Sequence, residues 1–231
     1  MTITLTRRQT DATTLAAELA ASPMHLTAHT TTAQAAEAIA DERLGYGPRH
    51  AQDTINWESG AYPDLALARQ DAARALVDGL GPDLLQSAVT HALHTARTLT
   101  TQQPWADAIA HLGKRIENRK QRTQYRGLLL IHAATRADED LVAQAQDEHP
   151  DLSFPRRAIV ATGRLTGCHR ARLDDNGRVC CAPWGEPEGW HWELSGISAL
   201  PEPVSCTGAL YLWTPDAHVL DAVLAMRSEA R

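Results

Sequence analysis

The residue types best suited to chemistry lie close together in the middle of the chain, at Lys114, Glu117 and Arg119. A carboxylate beside an ammonium ion can act as a general base, while the cation stabilises negative charge on a leaving group or a phosphate. Lys114 and Lys120 are the two lysines of the sequence, and arginine supplies all other side-chain basic charge. A chain that uses arginine elsewhere but lysine here indicates that this place needs a compact ammonium group. The alternative is a solvated basic surface with an ordinary ion pair, worth roughly 0–1 kcal/mol.

The elements that must position these residues can be predicted from the local pattern. A short helix is predicted to open at Pro104-Trp105, because proline is tolerated in a first turn, and to end at Gly113. Residues 114–119 are predicted to be extended. Strand alternation would then place Lys114 on one face and Glu117 with Arg119 on the other, although a bulge would allow a shared pocket. The apolar residues 126–133 are predicted to form a strand buried on both faces.

The 231-residue chain is predicted to hold two domains, residues 1–95 and 96–231. Its first part has the spacing of three or four helices, whose predicted starts are Asp11, Thr31 or Thr32, Pro63 and Asp83. From about Leu99 short apolar runs replace the helical stripes. The predicted strands there are Leu99–Thr101, Arg157–Cys168 (a strand pair or one bent strand), Gly189–Leu194 and Gly208–Trp213, with helices at Ala137–Glu148 and after Asp216.

An ordered set of short motifs in the second half resembles the ASCH domain, a small β-barrel of the PUA-like superfamily. The set consists of Gln103-Pro104-Trp105-Ala106, Gly113-Lys114, Glu117, Arg119, Tyr125-Arg126-Gly127 and Ile131-His132-Ala133. A later block, which runs from Trp190 to Leu194 and through Pro203-Val204 and Gly208 to Leu212-Trp213, is similar to the final strands of that family. The resemblance covers roughly residues 96–220. It implies an α+β protein in which an N-terminal helical domain of unknown family precedes a PUA-like β-barrel with flanking helices.

The resemblance also implies a choice of functions. Some ASCH-like proteins resemble amidohydrolases of acetylated cytidine, in which a threonine nucleophile stands where this sequence has Glu117. Others are described as ribonucleases on single-stranded RNA or as nucleic-acid-binding modules, and their K-x-x-E-x-R motif is closer to this sequence. The leading hypothesis is therefore a module that binds RNA or another single-stranded nucleic acid, with a modified base or a nucleoside-like ligand as variants and no membrane partner. The alternative is an enzyme acting on RNA or nucleosides, a metal-independent ribonuclease or a nucleoside amidohydrolase, with Lys114 and Glu117 as catalytic residues.

The predicted site is a cleft in the barrel. Its predicted lining is Trp105, Lys114, Glu117, Arg119, Tyr125 and Arg126, and the predicted nucleic-acid contacts are Trp105, Lys114, Arg119, Tyr125, Arg126 and Trp184. Aromatic faces next to cations suit single-stranded nucleic acid, since bases stack on the rings. Among the tryptophans of the second half, Trp184 is predicted to be the one that is exposed, because it lies in a loop. A third hypothesis is that the helical domain binds a protein partner.

No cofactor and no metal are predicted. A zinc site would need Cys168, Cys180, Cys181 and Cys206 with His169 and His191, but the spacing is not that of paired knuckles. Neighbouring cysteines on a strand would also point to opposite faces, so free thiols are expected. The net charge of −6 argues against a protein that binds nucleic acid over its whole surface, but a local basic patch matters more than the total charge. Without a long apolar run or a signal-peptide core, a cytoplasmic protein is expected.

Overall fold

The protein is described by a computed structural model for residues 12–21, 30–44 and 63–229. The chain divides into two compact units, residues 1–94 and 95–231. The division falls next to the predicted boundary, where the helical pattern gives way to short apolar strands. Independent folding of the two units stays a prediction.

Four helices are described in the first unit: α1 (Ala12–Ala21), α2 (Thr32–Leu44), α3 (Pro63–Leu80) and α4 (Pro82–His94). Helix α1 packs against α4, and α2 packs against α3. Thr31 caps α2 as predicted, because its hydroxyl accepts from the Gln34 N–H while the Gln34 side chain accepts from the Thr31 N–H. Leu15, Leu19 and Ile39 are fully buried. The predicted cap Asp11 lies outside the described residues.

The second unit contains one curled sheet with three helices around it. Its elements are β1 (Arg97–Gln103), α5 (Trp105–His111), β2 (Ile116–Arg119), β3 (Gly127–Ala137), α6 (Glu139–Glu148), β4 (Ala158–Arg170), β5 (Trp190–Ser205), β6 (Leu212–Trp213) and α7 (Ala217–Glu229). The strand order is β2-β5-β4-β3-β1-β6. Strand β1 runs parallel to β3, and the other pairs are antiparallel. This architecture confirms the predicted α+β class with a barrel-like second domain.

The curl brings β2, at one edge of the sheet, close to β1 near the other edge. The evidence is a hydrogen bond in which the Arg119 guanidinium of β2 donates to the Thr100 carbonyl of β1 at 2.6 Å. The two strands are separated by three others in the sheet order, so only a strongly curved sheet permits this contact. The site residues on β1 and β2 are therefore neighbours in space, although β5, β4 and β3 lie between these two strands in the sheet.

The core of this unit lies between the inner face of the sheet and α5. Leu99, Ile109, Leu129, Ile131 and Trp192 are among its buried members. All residues from 127 to 133 are buried, which confirms that this part of β3 is covered on both faces, whereas residues 134–137 are not buried. The continuous apolar run without alternation is the reason that this strand could be recognised from sequence.

The structure decides between the alternatives for one predicted strand and corrects another. Of the alternatives left open for residues 157–168, the structure has one long strand, β4, with irregular pairing near Gly163 and Gly167. The predicted strand at 208–213 is wrong except for its last two residues, which form β6. Residues 209–211 are exposed, and Tyr211 has a φ of 59°, which a regular strand cannot contain.

The described helices include none with both the length and the apolar character needed to cross a membrane.

Candidate functional site

A cleft of about 730 Å³ opens between the end of β1, the start of α5, strand β2 and two loops. Its size lies within the range of small-molecule and single-nucleotide sites. The side chains that matter for binding are basic, acidic or aromatic: Trp105, Lys114, Glu117, Arg119, Arg136, Trp184, Glu186 and Tyr211. The cleft therefore combines cations with flat aromatic surfaces.

Helix α5 presents Trp105 at the mouth of this cleft. Its start is fixed by a buried network in which Gln103 donates to Asp107 at 2.7 Å and Asp107 accepts from the Phe154 N–H at 3.2 Å. Burial raises the pKa of Asp107, against the opposing effects of the Gln103 and Phe154 hydrogen bonds. The helix that carries Trp105 is thus held by buried polar contacts, while the indole itself is 38% exposed.

Lys114 enters the same cleft because it lies before β2 rather than within it. Gly113 has a φ of 74° and ends the α5 segment, and the Lys114 N–H returns to the Ala108 carbonyl at 3.0 Å. The Lys114 ammonium then donates to the Ile116 carbonyl and lies 3.3 Å from Glu117. Strand alternation does not apply to a residue outside the strand, so of the two arrangements left open by the sequence the structure has the shared pocket and not the opposite faces.

Glu117 is held between two cations. One carboxylate oxygen faces the Lys114 ammonium, and the other lies 2.9 Å from the Arg119 guanidinium. The side chains of Lys114 and Glu117 are 4% and 8% exposed, whereas Arg119 is 28% exposed. This ion triplet therefore carries a net charge of about +1 at neutral pH, with its open side towards the cleft.

Both cations of the triplet also contact indole rings. The Lys114 ammonium lies 6.0 Å from the centre of the Trp105 ring, and the Arg119 guanidinium lies 5.8 Å from that of Trp192. An ammonium has three hydrogens, and Ile116 and Glu117 use two of them. The third can be donated to a ligand in the cleft.

The structure brings four of the six predicted nucleic-acid contacts to the cleft: Trp105, Lys114, Arg119 and Trp184. Among the tryptophans that the structure describes, Trp105 is exposed and Trp184 is half-buried, so the prediction that Trp184 is the likeliest to be exposed is wrong. The Trp184 carbonyl accepts from the Asn118 side chain at 2.8 Å, which attaches the loop to β2.

Tyr125 and Arg126 do not line the cleft, and that part of the prediction is wrong. The Tyr125 hydroxyl donates to the Leu128 carbonyl at 2.5 Å, and burial raises its pKa to about 12. The Arg126 guanidinium is exposed and donates to the carbonyls of Thr123 and Tyr125. A contact of Arg126 with nucleic acid stays a prediction.

Three of the charged or aromatic side chains of the cleft were not found from the sequence. Arg136 follows the buried part of β3, Tyr211 lies in the exposed loop before β6, and Glu186 lies in the loop after Trp184. Each comes from a segment distant in sequence from residues 105–119. The curl of the sheet brings them together, so no local motif could have indicated them.

A second cluster of reactive side chains lies beside the cleft. His169, Cys180, Cys181 and His191 point their donor atoms at one another, all within 4.8 Å. The two cysteines lie in a turn and not on a strand, and Cys181 has a φ of 64°. The expectation that neighbouring cysteines point to opposite faces is therefore wrong.

Comparison with known proteins agrees with the motif set described above. No curated protein matches the sequence. The family model of the ASCH domain matches residues 99–182, which run from β1 to the turn containing the two cysteines. That segment holds Trp105, Lys114, Glu117 and Arg119 of the cleft. This part of the protein therefore matches the ASCH domain, a family of PUA-like fold that is consistent with RNA binding in general.

Proposed function

We propose that the cleft binds single-stranded RNA, with phosphate at the cations and a base on the tryptophans. The observation that carries this proposal is the exposed Trp105 ring beside the Lys114 ammonium in a cleft of nucleotide size. Proteins that hold single strands without strong sequence preference combine a positive groove with aromatic stacking surfaces. The ASCH domain match supports the same class of ligand.

The proposed phosphate contacts are Lys114, Arg119 and Arg136. Lys114 retains one free ammonium hydrogen, and the partly exposed Arg119 can use its remaining N–H donors. Arg136 adds an exposed guanidinium on the wall formed by the end of β3. An overall charge of −6 makes such binding local, because phosphate would be attracted to this patch and repelled elsewhere.

The proposed stacking surfaces are Trp105 and Trp184. Stacking contributes roughly 1–3 kcal/mol for each base. Because Trp184 is tied through its carbonyl to Asn118, its loop would keep the same place with and without ligand. Glu117 has a positioning role in this proposal, since it holds both cations without contacting the ligand.

The second candidate is an enzyme acting on RNA or nucleosides, with Glu117 as general base and Lys114 as the group that stabilises charge. The observation favouring it is the burial of this pair, since a 3.3 Å contact between largely buried charges is unlike a surface ion pair. Against it, both carboxylate oxygens already have cationic partners at 3.3 Å and 2.9 Å. A carboxylate whose two oxygens are both engaged in this way is poorly placed to take a proton from a substrate.

Fluorescence anisotropy of a labelled single-stranded RNA of about 10 nucleotides, at several salt concentrations, tests the proposal. Lys114→Ala is expected to weaken binding and to reduce the salt slope by roughly 0.7, the value of one lost phosphate contact on a single strand. Arg74→Ala is the matched control, because Arg74 is basic, is 73% exposed and lies in the first unit, outside the cleft. Binding that ignores salt, or a slope unchanged in Lys114→Ala but reduced in Arg74→Ala, would place the RNA elsewhere.

A further inference from the structure

We infer that His169, Cys180, Cys181 and His191 form a structural zinc site. Two thiolates and two imidazoles are a common ligand set for Zn²⁺ in proteins. In a tetrahedral site with ordinary zinc–ligand bonds, neighbouring ligand atoms lie roughly 3.3–3.8 Å apart. Cys180 Sγ lies 3.7 Å from His169 Nε2 and 3.5 Å from His191 Nδ1, and Cys181 Sγ lies 3.5 Å from His169 Nε2. Three of the ligand spacings thus already have the tetrahedral value.

The two histidines are brought together by the sheet. His169 of β4 and His191 of β5 are directly paired across the two strands, so their side chains lie on the same face. Their rings meet edge to face with centres 5.2 Å apart. This arrangement leaves one nitrogen of each ring facing the cysteine turn.

The outer nitrogens of both rings are held by oxygen acceptors. His191 Nε2 lies 2.8 Å from the Glu186 carbonyl, which can only accept, so that nitrogen carries the proton and Nδ1 presents its lone pair to Cys180. His169 Nδ1 lies 2.7 Å from the Glu193 carboxylate, which leaves Nε2 directed at both sulfurs. Metal-ligating histidines are held in this way by a carbonyl or carboxylate behind the ring.

The cysteine turn is shaped to place both sulfurs at one point. The positive φ of Cys181 turns its side chain to the side on which Cys180 lies, at the cost of a conformation that few residues other than glycine adopt. Gly185 closes the turn through its N–H, which donates to the Cys181 carbonyl at 2.9 Å. A Cβ at Gly185 would collide with the Cys180 carbonyl and the His191 ring. The backbone is therefore wrapped closely around the four ligands.

Four protein ligands make a closed site, which points to a structural and not a catalytic metal. Binding of Zn²⁺ would release about two protons from the thiols, which leaves the ion and its ligands without net charge. The same turn continues into Trp184 and Glu186, both of which line the cleft. A bound zinc ion would thus fix the loop that forms one wall of the cleft. The binding of zinc to its four ligands does not depend on whether the cleft binds RNA.

The test is the zinc content of the full chain, purified with a reductant and without chelator. About one zinc ion per chain is expected in the wild type, and the Cys180→Ser/Cys181→Ser double variant is expected to lose it. Cys168→Ser and Cys206→Ser are matched controls, because these cysteines lie outside the cluster and should leave the zinc content unchanged. A double variant that folds and retains a full zinc ion would overturn the inference.

Cobalt provides a second measurement that needs no variant. Co²⁺ added to the metal-free, reduced wild type should give the visible absorption of a tetrahedral site together with thiolate charge-transfer bands, and Zn²⁺ should abolish both. Zinc should also protect two of the four thiols from alkylation by iodoacetamide. An octahedral cobalt spectrum, or alkylation of Cys180 at the same rate with and without zinc, would show that the cluster is not a metal site.

Discussion

Replacing Glu117 by glutamine removes the charge that holds two cations together while keeping the size of the side chain. The pair with Lys114 is almost fully buried, at 4% and 8% exposure. Loss of one partner of a buried pair leaves an uncompensated charge and costs about 3–5 kcal/mol. The contact with Arg119 adds less, because that side chain is 28% exposed and partly screened by solvent. Since glutamine can still accept one hydrogen bond, we expect a loss of about 3 kcal/mol in the free energy of unfolding.

Urea unfolding followed by tryptophan fluorescence measures this loss, since five of the six tryptophans lie in the second unit. Glu186→Gln is the matched control. It also removes one negative charge from the cleft, but the Glu186 side chain is exposed, so we expect a change within about 0.5 kcal/mol. Equal stability of Glu117→Gln and wild type would refute the reasoning, because the carboxylate would then not be needed to hold the buried ammonium.

The same variant separates binding from catalysis. If the cleft only binds RNA, loss of a negative charge should leave the affinity equal or higher in both Glu117→Gln and Glu186→Gln. If Glu117 is a general base, its variant should lose turnover by roughly 10²–10⁴-fold while RNA binding is retained. Cleavage at full rate by Glu117→Gln would exclude the catalytic role. A folded Glu117→Gln protein with strongly reduced affinity would instead mean that the positioning of Lys114 and Arg119 by the carboxylate outweighs the repulsion that the substitution removes.

Four further predictions follow from the structure. Trp105→Ala should weaken RNA binding, measured by anisotropy, by roughly 1–3 kcal/mol with little change in the salt slope. A change in the slope without this loss of affinity would contradict stacking of a base on Trp105. Burial lowers the pKa of His132 below its ordinary value of 6.5. Because the unfolded chain then binds more protons than the folded one, the free energy of unfolding should fall as pH drops below about 6.5. Urea midpoints measured as a function of pH should show a smaller fall for His132→Gln than for the wild type. A Cβ at Gly167 would collide with the Glu193 carboxylate that holds His169, so Gly167→Ala should lower the affinity for zinc in a competition titration with a chelator. Residues 95–231 expressed alone should unfold cooperatively in urea, and an insoluble product would contradict independent folding.

The sequence by itself determined the two-part organisation, the helices of the first unit, the buried strand β3 and the ASCH resemblance. These features depend on local patterns: helical spacing of Leu15 and Leu19, the cap at Thr31, and the unbroken apolar run after Arg126. Each pattern spans fewer than about 20 residues, and tertiary contacts reinforce it without changing it. Lys114, Glu117 and Arg119 could be chosen on the same local basis, from residue type and spacing.

Only the tertiary structure decided which side chains share a site. The curl of the sheet places β2 against β1, which brings Arg136, Glu186 and Tyr211 into the cleft and leaves Tyr125 and Arg126 outside it. A single backbone angle at Gly113 frees Lys114 from strand alternation, and the turn at Cys181 does the same for the two cysteines. Residues 169 and 191 become neighbours because their strands pair in one particular register. Register and curvature are set by packing over the whole sheet, so no local stretch of sequence contains them.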